Sequence, residues 1–392
     1  MKNNRIILCE PQCWDFEHVV FNSSLLYTIL LAYPDSFITF LAEKEHLNLV
    51  RSLIAQKTKI DLNRINWQEI NIPLRGYNSK ERFGLEIKLF LKIFRKAINK
   101  KCNLIIFCSI TKTGLLIIKV LMYLKKINFT ICVVLHSMLN ELLKKSNKNL
   151  IKRMFYLKNI LKHFHPRNLN YIVLGGSIYL YLREYFPDII SRFLYIDLPC
   201  FWSVNSYQKI TNKPKTMHFG YFGVSCKGFD IFYKLSSEIK SMKKNCKFVL
   251  VGFLNSDKDY QILNKDMVIA GLSFKPLTFK EYNERAMDLT YSIWIATPDH
   301  YHLTASATFL DSLSFVKPGI YLRNSYVEYY FDKIGDIGYL CNNYKEMKSV
   351  ILSILNNFPT ERYNKQCENI LKGRKIFNPE NIASQLRGII KK

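Results

Sequence analysis

Short apolar runs rich in Ile and Val alternate with helix-like stretches along the first half of the chain. Continuous runs of this kind are typical of strands that are buried on both faces, as in parallel sheets covered by helices. The pattern therefore predicts an α/β fold in which a parallel sheet carries helices on both faces. The strand-like runs include Arg5–Cys9, Phe37–Ala42, Leu104–Cys108 and Thr130–Leu135, and the helix-like stretches include Val19–Ala32, Thr113–Lys125 and Leu139–His163.

A polar, proline-interrupted stretch at Phe201–Lys215 precedes a second alternation of the same type, which starts with a strand-like run at Met217–Phe222. At 392 residues the chain is also too long for one compact core. We therefore expect two doubly wound, Rossmann-like domains facing across a cleft, with ligands at the carboxyl ends of the strands. The expected division is an N-terminal domain over 1–205, a C-terminal domain over 206–378, and a C-terminal helix over 379–392 that packs back on the N-terminal domain.

The composition is that of an ordinary globular protein, with 48% hydrophobic and 22% charged residues. No apolar run reaches the roughly 18 residues that a membrane-spanning helix needs. The stretch from Met1 to Glu10 has a single short apolar run, which is too little for a secretory signal. The ten cysteines are scattered and form no CxxC motif. This usage predicts buried free thiols in a reducing cytosol.

The formal net charge of +26 is unevenly distributed. Lys80–Arg167 contains 20 Lys and Arg against three acids, Glu81, Glu86 and Glu141, which is a net of +17. This excess indicates an anionic partner such as nucleic acid, acidic lipid or a phosphorylated substrate. Codon drift in an A+T-rich genome is an alternative source of part of the excess. The charge does not follow a recognisable nucleic-acid-binding pattern, so no nucleic-acid partner is expected.

Two basic helical stretches, Phe83–Lys101 and Asn149–His165, have one apolar and one charged face. An aromatic-rich face with a basic back can lie on acidic lipid. The alternative is that the apolar face belongs to the core and the charges are solvated.

The stretch Ser292–Tyr321 contains a candidate anion site. A buried strand ends at Ala296, a polar loop follows, and a helix begins near Ala305 and Ser306. Thr304 and Ser306 are suitable N-cap residues, so the free N–H groups of the helix would face a diphosphate in the loop. Asp311, farther along this helix, could accept hydrogen bonds from ribose hydroxyls. An ordinary capped helix is the alternative.

This stretch resembles the donor-site signature of the group-1 glycosyltransferases of the GT-B fold, Glu-x7-Glu followed by Gly-x-Pro. Asp311–Pro318 matches the second half, and Asp311 stands where the second Glu would hold the ribose. Leu303 replaces the first Glu. Lys227 and Gly228 resemble the family's Lys-Gly turn, in which the Lys is the cation that binds the diphosphate. The Arg that the family has in this turn is missing here. The resemblance implies the donor-site residues Gly223, Lys227, Gly228, Ala270, Gly271, Thr304, Ala305, Ser306 and Asp311.

Three residues of the N-terminal half are candidates for catalysis. His136 follows a buried strand, where the family often has a His in the cleft, and its near-neutral pKa suits proton acceptance or acceptor positioning. Asp15 and His18 lie in a polar-aromatic loop after the first strand, where they could touch the acceptor. A structural role for His136 and a helix N-cap role for Asp15 are the alternatives.

Asp299–His302 contains possible metal ligands, but no metal site is expected there, because no second ligand cluster is evident in the sequence. The resemblance also implies an enzyme that needs no metal and no cofactor, with the nucleotide-sugar as substrate. We expect transfer with retained configuration to a glycan or lipid-linked acceptor in surface polysaccharide or lipopolysaccharide assembly. The expected location is the inner face of the cytoplasmic membrane, against an anionic surface. A non-catalytic protein of the same fold is the first alternative and a nucleic-acid-binding protein the second; the oligomeric state stays open.

Overall fold

The computed structural model describes residues 4–74, 79–144, 155–226, 228–243, 245–255, 268–296 and 301–390. These residues form two compact units, each built on a parallel sheet. The first unit comprises 1–201, 303–305 and 377–392, and the second comprises 202–302 and 306–376. None of the helices in these ranges is both long and apolar enough to cross a membrane.

The first unit contains a seven-stranded sheet of order β3-β2-β1-β4-β5-β6-β7. Its central strands are fully buried apolar runs, as expected for strands covered on both faces. The strands are β1 (Arg5–Cys9), β2 (Phe37–Ala42), β3 (Ile65–Glu69), β4 (Leu104–Phe107), β5 (Thr130–Val134), β6 (Leu169–Leu174) and β7 (Phe193–Ile196). The helices between them are α1 (Val19–Ala32), α2 (Lys44–Lys57), α3 (Ser79–Asn99), α4 (Lys112–Leu124), α5 (Leu157–Lys162) and α6 (Gly176–Tyr185).

The second unit repeats this arrangement with a six-stranded sheet of order β10-β9-β8-β11-β12-β13. The strands are β8 (Met217–Val224), β9 (Cys246–Phe253), β10 (Ile269–Ala270), β11 (Tyr291–Trp294), β12 (Gly319–Leu322) and β13 (Gly338–Cys341). The helices are α7 (Phe229–Met242), α8 (Phe279–Met287), α9 (Ala307–Ser314), α10 (Ser325–Ile334), α11 (Tyr344–Asn356) and α12 (Thr360–Gly373). In both units the strand order reverses once, between β1 and β4 and between β8 and β11, and such a reversal opens a crevice at the carboxyl edge of the sheet.

The last helix, α13 (Pro379–Ile390), belongs to the first unit and packs against α1. Ile382, Ala383 and Leu386 are buried in this contact region. The Arg387 guanidinium donates a hydrogen bond to the Leu31 carbonyl at 2.9 Å. The chain therefore returns to its first domain at its C-terminal end.

One helical expectation needs correction. The stretch Leu139–His163 is not one helix: Ser137–Leu143 form a 3-10 helix, and α5 does not begin until Leu157. Residues 149–154 of the basic stretch Asn149–His165 lie outside the described residues. In α3, the apolar side chains of Phe90 and Phe94 are buried in the core of the first unit. The middle of that face therefore belongs to the core, as the alternative predicts, whereas Phe83 and Ile98 on it are exposed.

Candidate functional site

The carboxyl edge of the first sheet brings together the residues that follow β1 and β5. His18 and His136 have ring centroids 5.1 Å apart, and the edge of Phe21 packs on the His136 ring at 4.6 Å. Asp15 is exposed, and its backbone carbonyl is 2.9 Å from His46 Nδ1. Asp15 is not the N-cap of α1, because His18 occupies that position without a side-chain hydrogen bond.

His136 has a defined tautomer. Its Nε2 is 2.9 Å from the Cys108 carbonyl oxygen. Because a carbonyl only accepts, Nε2 carries the proton and Nδ1 keeps its lone pair. Burial and the neighbouring His18 lower the pKa of His136 to about 3. The ring is therefore neutral at physiological pH, and it suits hydrogen-bond acceptance better than proton uptake.

A buried polar network holds the loop between β1 and α1. Glu10, which is fully buried, accepts from the backbone N–H groups of Gln12 at 2.9 Å and Cys13 at 3.1 Å. Its carboxylate also accepts from the Ser109 hydroxyl and from Asn22 Nδ2, the latter at 3.1 Å. Four donors thus fix this carboxylate at the end of β1.

The network continues through His46, whose neutral ring carries one proton. Its Nδ1–H donates to the Asp15 carbonyl, so its Nε2 accepts from Asn22 Nδ2 at 2.8 Å. Burial lowers the pKa of His46, which favours this neutral form. The loop needs such support because Asp15 and His18 adopt left-handed φ angles of 46° and 53°, which are unfavourable for residues other than glycine.

This loop lines a cavity of about 510 Å³ in the first unit. Arg82, on α3, is 3.2 Å from the buried carboxylate of Glu86. Thr111 and Thr113 also donate to Glu86, at 2.7 and 2.5 Å. The cavity has the size of a small-ligand site and mixes polar groups with one exposed aromatic ring. Its lining residues are Gln12, Cys13, Phe16, Glu17, His18, Pro73 and Arg82.

Sequence reasoning missed Glu10, Asn22, His46 and Arg82 as parts of this site. Glu10 had a signal, since a carboxylate directly after a buried strand lies at the carboxyl edge of the sheet. Asn22 stood out as a polar residue in an apolar helix. His46 had none, because its partners Asn22 and Asp15 lie 24 and 31 residues away along the chain. Arg82 had none, because the loop with which it lines the cavity lies far along the chain.

In the second unit, two glycines mark the crevice between β8 and β11. A Cβ atom on Gly223 would lie 2.6 Å from Thr308 Cγ2, and one on Gly228 would lie 2.6 Å from the Ile295 carbonyl oxygen. Both glycines have positive φ, 95° and 91°. The end of β8 therefore approaches the first turn of α9, and the N-cap of α7 approaches the end of β11, more closely than a side chain permits.

Helix α9 begins at this crevice. Ser306 is its N-cap and accepts from the Phe309 N–H at 3.2 Å, while the Ser306 N–H donates to the Tyr326 hydroxyl at 3.0 Å. The N–H groups of Ala307 and Thr308 have no partner within the helix, so this end can receive an anion.

The other two residues predicted for this helix start fall elsewhere. Thr304 and Ala305 belong to the first unit together with Leu303, which is fully buried in its core. The Thr304 hydroxyl oxygen is buried and lacks a hydrogen-bond partner among the described residues. Ser306 alone caps α9.

Asp311 lies one turn farther along α9 and accepts a hydrogen bond from the Tyr282 hydroxyl of α8 at 2.6 Å. Burial raises the pKa of Asp311 to about 6, and the hydrogen bond from Tyr282 opposes this rise. The carboxylate is thus ionised above this pH, and one of its oxygens is held by Tyr282.

Arg285 supports the turn after β10. Gly271 has a φ of 81°, and a Cβ there would lie 2.6 Å from Arg285 Nη1. The guanidinium donates to the carbonyls of Gly271 and Leu250, the latter at 3.3 Å. Ala270 is exposed beside it, so this backbone is firmly placed at the edge of the sheet.

Some predicted positions cannot be placed. Lys227, the predicted diphosphate cation, and Asp299 and His300 of the rejected metal cluster lie outside the described residues. In the described ranges, no group of three His, Cys, Asp or Glu residues is arranged to hold a metal ion. The ten cysteines are free thiols, and only Cys226 is exposed.

Comparison with known proteins shows a likeness in structure alone. No protein-family model and no curated protein matches this chain. Anabaena HepE, solved with UDP and glucose, is 12% identical, with a TM-score of 0.66 over 99% of this chain and 100% of its own. The chain has the GT-B fold. A Rickettsia africae glycosyltransferase is 12% identical, with a TM-score of 0.63 over 100% of this chain and 98% of its own. A UDP-N-acetylglucosamine 2-epimerase is 11% identical, with a TM-score of 0.55 over 98% and 94%.

Proposed function

We propose that this chain is a glycosyltransferase that moves a sugar from a nucleotide-sugar donor to a glycan or lipid-linked acceptor. The observation that carries the proposal is the crevice between β8 and β11. There, Gly223 and Gly228 let segments of the chain pack closely, and the first N–H groups of α9 have no partner within their own helix. A diphosphate fits this chemistry. HepE, of the same fold, was solved with UDP-glucose.

The donor half of the mechanism depends on electrostatics. Negative charge grows on the leaving diphosphate while the sugar gains oxocarbenium character. The N–H groups of Ala307 and Thr308, with the dipole of α9, stabilise that charge, and Lys227 adds a cation. Asp311 accepts from a ribose hydroxyl, and the backbone of Ala270 and Gly271 meets the base. Thr304 and Ala305 remain predicted donor contacts.

The acceptor half lies in the first unit. The cavity beside His18 has room for a sugar residue. His136 Nδ1 accepts a hydrogen bond from an acceptor hydroxyl and orients it, as its low pKa favours. Asp15 and His18 contact the same acceptor.

The finer properties follow from the resemblance and the charge. Transfer is proposed to retain the anomeric configuration and to need no metal. The excess of 20 bases over three acids in Lys80–Arg167 supports a place at the inner, anionic face of the cytoplasmic membrane. That place suits surface polysaccharide or lipopolysaccharide assembly.

A second candidate is a non-catalytic GT-B protein that binds nucleotide or glycan. Leu303 favours it, because a fully buried leucine stands where the family has its first carboxylate. Measured turnover distinguishes the two candidates.

The test is calorimetry with UDP, GDP, CDP and ADP, followed by an assay of transfer and hydrolysis with the matching nucleotide-sugars. Lys227→Ala should weaken binding of the preferred nucleotide about tenfold or more. Lys215→Ala, an exposed lysine before β8 at the opposite edge, is the matched control and should bind normally. Absence of binding to every nucleotide contradicts the proposal; binding without turnover favours the non-catalytic candidate.

A further inference from the structure

Three neighbouring turns at the amino edge of the first sheet carry residues in unfavourable backbone conformations. Lys101, Lys126 and Phe164 have left-handed φ angles of 50°, 46° and 48°. These turns lead into β4, β5 and β6, which are adjacent strands. Left-handed φ is unfavourable for a residue with a Cβ, so three such residues in adjacent turns require an explanation.

Hydrogen bonds tie the three turns together. The Thr130 N–H donates to the Asn103 carbonyl at 3.0 Å, which joins the first turn to the second. Asn168 Nδ2 donates to the Ile127 carbonyl at 3.3 Å, which joins the second to the third. Lys119 of α4 is buried and donates to the carbonyls of Ile160 and His163, so α4 and the Phe164 turn are held side by side.

Glycine would suit these turns better than the residues present. The Cys102 N–H bonds the Ala97 carbonyl at 2.9 Å, and the Ile127 N–H bonds the Met122 carbonyl at 3.4 Å. These bonds close helices α3 and α4 in the manner that usually places glycine at the left-handed position. The chain places Lys101 and Lys126 there instead.

These turns carry both positively charged and apolar side chains. Tyr123 is 79% exposed, Leu124 68% and Phe164 87%, and exposed apolar side chains that are grouped in this way mark an interaction surface. Residues 100–103, 125–129 and 163–168 contain Lys100, Lys101, Lys125, Lys126 and Arg167 and no acid. The nearby carboxylate of Asp188 is paired with Lys162 at 3.2 Å and Lys158 at 3.7 Å.

We infer that this surface docks on an anionic lipid bilayer, with the cations at the headgroup phosphates and the apolar tips in the interface. We call it the basic edge; it consists of Lys100, Lys101, Tyr123, Leu124, Lys125, Lys126, Phe164 and Arg167. The inference rests on the membrane location in the proposed function and names the surface responsible. Amphipathic tips beside lysines fit a bilayer interface, whereas a nucleic-acid backbone alone would not require Leu124 or Phe164. Because the basic edge is opposite the carboxyl edge, docking leaves the cavity beside His18 uncovered.

The test is flotation of the full chain with phosphatidylcholine vesicles that contain either no anionic lipid or one third phosphatidylglycerol. Lys125→Gln/Lys126→Asn should reduce binding to the anionic vesicles at least tenfold, since each basic residue near the surface contributes to attraction. Lys88→Gln/Lys92→Gln removes the same charge from exposed positions of α3 and should bind within about twofold of wild type.

Phe164→Gly separates docking from folding. Glycine adopts the left-handed angle freely, and the exposed ring makes little packing, so the unfolding midpoint should stay or rise. Vesicle binding should nevertheless fall severalfold. Equal binding to neutral and anionic vesicles, or unchanged binding by both basic-edge variants, overturns the inference.

Two further measurements are the binding of duplex DNA in competition with the vesicles and calorimetry with UDP. If the lysine variant loses DNA binding but keeps vesicle binding, the basic edge serves nucleic acid and the inference is wrong. UDP affinity should be the same in all these variants. A wild-type protein that binds vesicles but no nucleotide contradicts the proposed function and leaves the docking result intact.

Discussion

His136 is a residue whose chemistry depends on its surroundings. In water, its imidazole would titrate near 6.5; in the fold, burial and His18 lower its pKa to about 3. A depressed folded-state pKa means that stability is fully present above about pH 6.5 and is lost as pH falls toward 3.

We therefore predict that the wild type loses about 2 kcal/mol more stability between pH 7 and pH 5 than His136→Gln does. Urea unfolding at both pH values measures this difference. Because the pKa of Asp311 is raised, its contribution to stability increases as the pH falls over part of this range. Asp311 is present in both proteins, so this contribution cancels in the comparison. Parallel pH curves for the two proteins would show that His136 is not held neutral.

The same residue should affect turnover without affecting the donor. His136→Ala should lower kcat about tenfold or more while UDP affinity stays near wild type, because its proposed contact is with the acceptor. Steady-state kinetics and calorimetry give the two values. Wild-type turnover in this variant would make His136 structural and His18 the next candidate.

Asp311 and Tyr282 should act as a pair on the nucleotide. Asp311→Asn should weaken UDP binding severalfold at pH 8 and less at pH 5.5, since the pKa of Asp311 is about 6 and the wild-type carboxyl is then mostly protonated. Tyr282→Phe removes a hydrogen bond that lowers the pKa of Asp311. In this background, the pH below which the effect of Asp311→Asn declines should therefore be higher. Calorimetry at each pH against Asp311→Asn cancels the titration of UDP itself. A pH-independent difference between the proteins contradicts this role.

At the scale of elements, the contact between β8 and α9 can be tested by a double-mutant cycle. Gly223→Ala adds a Cβ 2.6 Å from Thr308 Cγ2 at a φ of 95°, so it should destabilise the fold by about 2 kcal/mol or more. Thr308→Ser removes that methyl group. The double variant should recover the steric part of the loss and keep the backbone part. Additive free energies of unfolding would mean that the two residues do not meet.

At the scale of the whole molecule, the last helix completes the first unit. Deletion of 377–392 exposes the apolar surface that Ile382 and Leu386 cover, which should cost at least about 3 kcal/mol. In calorimetric scans, UDP should raise the transition of the second unit, which carries the proposed nucleotide site. The other transition should move down in the truncated protein. Deletion of 391–392 alone is the control and should leave both transitions in place.

Much of the architecture could be predicted from the sequence by itself. Buried apolar runs such as Leu104–Phe107 and Thr130–Val134 must be strands covered on both faces, and their alternation with helices requires parallel sheets. The GT-B prediction is confirmed by the fold. Residues directly after such strands, His136 among them, must lie at the carboxyl edge, because chain direction determines which edge a strand end occupies.

Only the tertiary structure decided which side chains meet. Glu10, Asn22 and His46 come from three separate elements, and their hydrogen bonds depend on how α1 and α2 pack beside β1. The hydrogen bond between Tyr282 and Asp311 likewise depends on how α8 packs beside α9. Leu303 lies in the first unit although most of its neighbours along the chain lie in the second. Local sequence specifies burial pattern and backbone period, whereas side-chain partners and the pKa of a buried ring depend on distant segments that only packing brings together.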